Sequence, residues 1–419
     1  MSLKVLHTAD WHLGQTFFEY DRTFEHQLFF KNLLSILIEK EIDVMLVCGD
    51  VFDVSNPSAN SIAMFYKFLV EASTFCPNIQ IVIIAGNHDS AARLEAPNPI
   101  LKHLNIHIIG NIERDTDGLI NYEKLIIPLH DRNKEKVAWC MAIPFLRLGD
   151  FSFVREKNSS YSDGVTELYN EVYKIADKKR NTNQAIIAMG HLHTLNAQIT
   201  ENDKSERLIL GGLELVAPSA FNKGIAYTAL GHIHRAQIVG GKENIRYSGS
   251  PIPMSFSELN YNHRVIVFDI ENEKSLNINS VEIPHAVDLL RIPKVHKELS
   301  HVLFELNQLE SVDINNNREN APFLEVRIKL NEPEPDLRYK IENSIENKNV
   351  RLAKIDIKFH DDKNNDVEDV LTFDQLQELH PVKVFEKIFK SKYNTEIPVE
   401  LNKLFREVYN GINLNVNEF

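Results

Sequence analysis

The first two-thirds of this sequence predict an α/β or mixed αββα core, on three observations. Short, nearly continuous apolar runs recur from residue 3 to residue 230, as expected of strands covered on both faces. Segments with the spacing of amphipathic helices stand between several of them. Most of the runs then stop at a glycine followed at once by acidic, amide or imidazole side chains.

In chain order, the predicted strands are 3–8 (LKVLHT), 43–48 (DVMLVC), 80–85 (QIVIIA), 139–143 (WCMAI), 185–189 (AIIAM) and 226–230 (AYTAL). Helices are predicted over 22–40, 60–72 and around 163–179, where apolar residues return every three or four positions. After residue 270 the character changes. Strands over 275–283, 322–330 and 350–359 and helices near 295–309 and 335–345 predict a small α+β domain with the Asn-rich loop 313–320 inside it. The polar stretch 360–366 (HDDKNND) reads as a linker. Beyond it, 373–392 and 397–411 read as two helices whose apolar face, including Phe385, Phe389, Leu401, Leu404 and Phe405, suits folding back or a partner equally well. The expected division is therefore 1–270, 271–360 and 367–419.

Composition narrows the class. With 43% hydrophobic and 25% charged residues in 419, the chain is globular rather than disordered or fibrous. Three scattered cysteines give no disulfide framework, and Cys48 and Cys140 lie in apolar strands, so reduced thiols and a cytoplasmic location are expected. The first strand begins at residue 3, leaving no room for a signal peptide, and no run of about 18 apolar residues follows, so no membrane association is expected. A net charge of −13 argues against a general nucleic-acid coat protein, but not against an enzyme that holds phosphates through metals and a few cations.

The chemistry gathers where strands end. Asp10-Trp11-His12, Gly49-Asp50-Val51-Phe52-Asp53, Gly86-Asn87-His88-Asp89, Gly190-His191-Leu192-His193 and Gly231-His232-Ile233-His234 follow five of the predicted strands. Four begin with glycine, which allows a sharp exit from the strand. One rim of an α/β sheet is where such proteins place their sites. A single His-x-His or Gly-Asp would ordinarily be a core-edge feature or a turn; five in order are not explained that way. Carboxylate, imidazole and amide donors together suit Mn²⁺, Fe or Zn²⁺ better than Ca²⁺ or a structural zinc.

These motifs resemble the calcineurin-like metallophosphoesterase superfamily, whose order is D-x-H, G-D-x-x-D, G-N-H-D/E, G-H and G-H-x-H. More closely, HTADWHLG (7–14), GNHDSAARLEA (86–96), IPFLR (143–147), TALGHIHRAQ (228–237) and YSGSPIPMSFSE (247–258) resemble the SbcD family of bacterial double-strand-break repair nucleases. The resemblance implies a four-layer αββα metallophosphoesterase sandwich over 1–270, an α+β capping domain over 271–360, and C-terminal helices that dock on a partner. It implies two divalent ions, Mn²⁺ first and Mg²⁺ as the alternative, one held by Asp10, His12, Asp50 and His234, the other by Asp50, Asn87, His191 and His232. Such ions polarise phosphoryl oxygens and activate water, and two of them outweigh the two carboxylates, leaving a cationic site in an acidic chain. His88 would face the substrate as transition-state stabiliser or acid, and Asp53 would hold it in the right tautomer and keep it protonated. His193 has no counterpart among the ligands, and Asp89 suits bonding of turn N–H groups at least as well as catalysis.

The implied activity is 3′-to-5′ exonuclease on duplex DNA and endonuclease on hairpins or single strands, in DNA recombination and repair. Gln15, Asn56, Arg93 and Arg147 lie in loops beside the motifs and are candidates for DNA phosphate contact. The chain carries no G-x-x-x-x-G-K-[ST] loop, so nucleotide would act in trans through an SbcC-like coiled-coil ATPase, in a heterotetramer with two copies of each chain. A homodimer through 60–72 and 90–104, whose apolar faces suit a core equally, and a nucleoid-associated location complete the expectation. Two other readings stand beside it: a phosphatase or small phosphodiesterase on the same core, and a scaffold that keeps the fold without metal chemistry. The intact ligand set counts against the scaffold.

Overall fold

The computed structural model describes residues 2–151, 160–198, 215–312, 320–359 and 401–405, with isolated positions between 385 and 398. The chain divides into two compact units, Met1–Lys358 and Phe359–Phe419. The linker 360–366 lies outside the described residues, as do nearly all of the predicted C-terminal helices and most of the Asn-rich loop. Within the second unit, the rings of Phe385 and Phe405 stack with centroids 4.1 Å apart.

In order, the elements of the first unit are β1 (Ser2–Thr8), β2 (Thr16–Phe17), β3 (Tyr20–Asp21), α1 (Thr23–Glu39), β4 (Val44–Cys48), α2 (Ala59–Phe75), β5 (Gln80–Ile84), α3 (Ala91–Glu95), α4 (Asn98–Leu101), β6 (Ile106–Ile109), β7 (Ile126–His130), β8 (Lys136–Ala142), α5 (Tyr161–Lys179) and β9 (Ala185–His191). There follow β10 (Tyr227–Gly231), β11 (Gln237–Val239), β12 (Lys242–Tyr247), β13 (Arg264–Glu271), β14 (Lys274–Glu282), β15 (Leu289–Glu298), α6 (Leu299–Asn307), β16 (Phe323–Leu330), α7 (Leu337–Ile345) and β17 (Arg351–Phe359).

Two six-stranded sheets form the centre, ordered β14-β13-β1-β4-β5-β6 and β11-β12-β10-β9-β8-β7. Strands β1, β4, β5 and β6 run parallel, as do β8, β9, β10 and β12, and antiparallel strands complete the edges. Alternation along each strand sorts the side chains between layers. Val44, Leu46 and Cys48 join Ala138, Cys140, Ile187 and Ala229 in the core between the sheets. Met45 and Val47 face the other way, onto Phe29, Leu33, Phe65 and Phe68 of α1 and α2. On the far side, Met141, Ile186 and Ala188 pack on Val165, Leu168 and Val172 of α5. The four layers are thus helix, sheet, sheet, helix, the αββα class.

Helix ends follow local chemistry. Ser58 accepts from the Ser61 N–H ahead of α2, and Ser160 with Asp163 forms a reciprocal capping box ahead of α5. Of the expected dimer segments, α2 turns Phe65, Phe68, Leu69 and Ala72 into the core and leaves Val70 and Phe75 outside.

The third sheet, β15-β16-β17, packs with α6 and α7. It is fastened to the first part of the unit by Phe17 and Phe256, which meet Phe323 and Val287 in one buried cluster. Two placements differ from expectation. Lys274–Glu282, expected in the small domain, pairs with β13 as an edge strand of the first sheet. The helix expected over 295–309 begins only at Leu299, because Lys297 and Glu298 are still paired with Ile328 and Lys329 of β16.

Candidate metal centre

Parallel strands β1, β4 and β5 of one sheet and β9 and β10 of the other deliver their C-terminal ends to one rim. The loops after β1 and β4 continue side by side: Asp10 N–H donates to the Gly49 carbonyl at 3.0 Å and His12 N–H to the Asp50 carbonyl at 3.0 Å. Trp11, between the two donors, is fully buried, with the rings of Phe29, Phe30, Phe65 and Phe68 around it and its indole N–H on Thr8 Oγ1 at 2.9 Å. It anchors the loop that turns Asp10 and His12 to the rim.

The backbone there is strained. Asp10, His12, Asp50 and His232 have φ of 56°, 45°, 49° and 100°, a region non-glycine residues avoid and functional sites retain. The glycines before the polar groups do more than turn the chain, and only Gly49 has positive φ, at 84°. A Cβ on Gly86 would overlap the Asp50 carboxylate and backbone N; one on Gly231 would overlap the Cys48 carbonyl; one on Gly190 would overlap the Tyr169 hydroxyl. The expected sharp exit from the strand thus holds for one glycine of four, and close approach explains the others.

Among the described residues, two groups of donors each lie within 4.8 Å: His12, Asp50 and His88, and Asp50, His191 and His232. Asp50 is common to both. Asn87 Oδ1 is 3.0 Å from His191 Nε2 and 3.0 Å from His232 Nδ1, which joins the amide to the second group. The His12 and His234 rings are 5.1 Å apart, and Asp10 Oδ1 accepts from the His232 N–H at 2.9 Å. Both nitrogens of His12 and Asp10 Oδ2 are buried with no hydrogen-bond partner. Buried polar atoms left bare on one rim, with carboxylate, imidazole and amide around them, fit divalent cations.

The buried groups of the cluster also set one another's charge. Burial pushes the Asp50 carboxyl up, but the imidazoles of His191, His12 and His88 outweigh it and hold the group well below the usual carboxylate range. Burial lowers His191, yet Asp50 and Asp10 reverse this and raise it to about 9. Asp10 is raised, chiefly by burial.

Each remaining candidate has a definite place. His88 Nδ1 bonds the main-chain carbonyl of Asp53 at 2.7 Å, and its N–H donates to Asp50 Oδ1 at 2.9 Å. Asp53 was expected to grip His88 with its side chain. The carboxylate instead lies 3.2 Å from His12 Nδ1, and the carbonyl holds His88. Asp89 accepts from the N–H groups of Gly86, Phe52 and Val51 at 2.9, 2.9 and 3.2 Å, tying the loops after β4 and β5 together. Burial and nearby Asp50 raise it to about 6. His193 stands outside both donor groups, its ring 6.1 Å from that of His232.

Gln15 is engaged internally, accepting from Arg22 Nη1 at 2.7 Å and donating to the Met254 carbonyl at 3.4 Å. Asn56 and Arg93 are exposed and bonded to each other, and Arg147 is exposed beyond β8. Three supports were not singled out from the sequence: the Cys48 carbonyl on His191 Nδ1 at 2.8 Å, the Asp53 carbonyl on His88, and Glu258, 3.0 Å from His234 Nδ1. The carbonyls leave no trace in a sequence. Glu258 closes the stretch YSGSPIPMSFSE, and that was its only signal.

Comparison with known proteins bears on the same residues. A family model for calcineurin-like phosphoesterase matches residues 3–236, and one for the type 5 capsule protein repressor C-terminal domain matches 285–393. The SbcD component of the SbcCD nuclease of Rhodobacter capsulatus is 34% identical over 361 residues, covering 85% of this chain and 87% of the relative. That of Escherichia coli K12 is 32% identical over 348 residues, 81% of each chain. That of Bacillus subtilis is 31% identical over 276 residues, 64% of this chain and 66% of its own. The phosphoesterase match runs from β1 to just past His234, so it spans every strand that supplies the rim, and the chain belongs to the calcineurin-like phosphoesterases and, within them, to the SbcD nuclease family.

Proposed function

We propose that this chain is a DNA nuclease that uses two divalent ions, Mn²⁺ first, to degrade duplex ends 3′-to-5′ and to cut hairpins and single strands. The observation that carries this reading is the pair of donor groups sharing Asp50 on one rim. Asp10, His12, Asp50 and His234 would hold one ion, and Asp50, Asn87, His191 and His232 the other. When bound, such ions activate water and stabilise charge on phosphoryl oxygens. The residues supply orientation. Asn87 Oδ1 stands between His191 and His232, and the bonds from the His88 main-chain N–H to the Asp50 carboxylate and from its ring Nδ1 to the Asp53 carbonyl fix the direction of His88. With Nδ1–H given to the Asp53 carbonyl, His88 would act as the imidazolium, its Nε2–H stabilising the phosphoryl transition state or protonating the leaving 3′ oxygen.

Exposed Arg93, Asn56 and Arg147 are the proposed phosphate contacts. Gln15 acts there only if its internal bonds are exchanged. The three-part division keeps the nuclease part over the two sheets and the cap over β15–β17, with the boundary moved past Glu282 because β14 belongs to the first sheet. The segment 367–419 would dock an SbcC-like coiled-coil ATPase, giving two copies of each chain around a nuclease homodimer.

The test is cleavage of end-labelled duplex DNA and of bis-p-nitrophenyl phosphate by the purified chain with Mn²⁺, Mg²⁺ or EDTA. Metal-dependent shortening from the 3′ end is expected, abolished in His88→Ala while two ions remain bound. Hydrolysis of the small ester with DNA untouched, even with the ATPase added, would overturn the nuclease reading. Loss of an ion in His88→Ala would make His88 a ligand.

A further inference from the structure

The segment Tyr247–Glu258 comes from neither donor group, yet it closes on the rim from behind. Glu258 is 1% exposed. One carboxylate oxygen, Oε1, lies 3.0 Å from His234 Nδ1. The other, Oε2, accepts from the Met254 N–H at 3.0 Å and from the Ser250 hydroxyl at 3.3 Å. The Ser250 N–H in turn donates to the His234 carbonyl at 3.0 Å. Glu258 is thus locked by its own turn, and that turn is locked to the residue whose ring it touches.

His191, on the other side of Asp50, receives a different kind of support. Its Nδ1 faces the neutral carbonyl of Cys48 at 2.8 Å. A carboxylate behind an imidazole fixes the tautomer with hydrogen on Nδ1, leaves Nε2 as the lone-pair donor, and makes that donor more basic than a carbonyl does.

We propose that Glu258 is a positioning residue that sets the tautomer of His234 and so strengthens the ion held by Asp10, His12, Asp50 and His234, without acting on the other ion. This rests on the ligand assignment given under Proposed function. A glutamine at 258 cannot serve both neighbours. If its oxygen keeps the Met254 N–H, its NH₂ faces Nδ1 and drives the hydrogen of His234 to Nε2, where an ion would have to bind. If its oxygen keeps Nδ1–H, its NH₂ faces another N–H donor.

The experiment uses the full chain, labelled with ¹⁵N at histidine, as wild type, Glu258→Gln and Glu258→Asp. Three readings are taken: the ¹⁵N shifts of His234 in metal-free protein, Mn²⁺ binding by calorimetry, and the melting temperature without metal. The expected result is two ions bound by wild type and, in Glu258→Gln, one ion weakened roughly 10–100-fold with the other unchanged. The His234 shifts should exchange between the Nδ1–H and Nε2–H patterns. Glu258→Asp, which keeps the charge one methylene short, should give a smaller loss at the same ion, and it stands in if the glutamine variant does not fold. Equal weakening of both ions with a lowered melting temperature, or wild-type affinities with unshifted His234 signals, would overturn the proposal. Wild-type protein that binds no pair of ions would instead overturn the ligand assignment itself.

Discussion

Trp11 illustrates how a residue with no metal-binding atom shapes the centre. It fills a cage of four phenylalanines between Asp10 and His12. Trp11→Ala is expected to cost about 3–5 kcal/mol in urea unfolding and to weaken metal binding, because both neighbouring donors lose their anchor. Gly86→Ala tests close approach. A methyl group there displaces the Asp50 carboxylate, so the variant should fold yet bind neither ion at wild-type affinity in a Mn²⁺ titration. The seven residues proposed as donors could be picked out because each sits in a short motif after an apolar run. Glu258 was not, since one glutamate in a serine-rich turn has no local pattern that distinguishes it from a solvated one. Asp53 was half legible: its position beside His88 was right, but the bond comes from the main chain, which every residue type shares.

At the scale of elements, strands with apolar runs or regular alternation were mostly readable, β6 and β13 being the apolar exceptions, and those carrying other signals were not. β7 contains Pro128, which argues against a central strand; it is tolerated because β7 is the edge of its sheet. β15 carries Pro293, Lys294, His296 and Lys297, a pattern with no clear period, and it is a strand because β16 pairs with it. That small sheet holds a charge cluster as well. Glu325, 1% exposed, accepts from Lys354 at 2.9 Å and from Arg327 at 3.2 Å, and pairs with Arg291. Burial pushes its carboxyl up, but Lys354 and Arg291 outweigh it and lower the group below its ordinary value of 4.5. A carboxyl lowered in the folded state contributes stability that is present above its unfolded value and lost as pH falls through the folded one. Glu325→Gln should therefore destabilise the protein near neutral pH by about 1–3 kcal/mol, reduced from a fully buried pair because the cations reach solvent. The difference from wild type should vanish on acidification below pH 4.5, and melting curves at several pH values read it directly.

For the whole molecule, strand order and layer packing were beyond the sequence, because which strand neighbours which is decided by long-range pairing. The sequence did carry the four-layer class, through resemblance, and the site, through order along the chain. The second unit, Phe359–Phe419, is proposed to be the docking part. A chain ending at His360 is accordingly expected to retain two Mn²⁺ and hydrolysis of the small ester while losing co-purification with an SbcC-like ATPase. Retained co-purification would move the docking surface onto the first unit. The third sheet should stay in place in that shortened chain, since Phe17, Phe256 and Phe323 fasten it independently of the second unit.

The rim is assembled from both sheets, the proposed donors running along the chain from Asp10 to His234 with Glu258 beside the last. A chain emerging from the ribosome therefore holds an incomplete set until most of the first unit has been made, because early strands can fold while the last donors are still missing. Truncated and stalled products inherit the same incapacity, so the cell meets cutting activity only from molecules whose synthesis has passed that point.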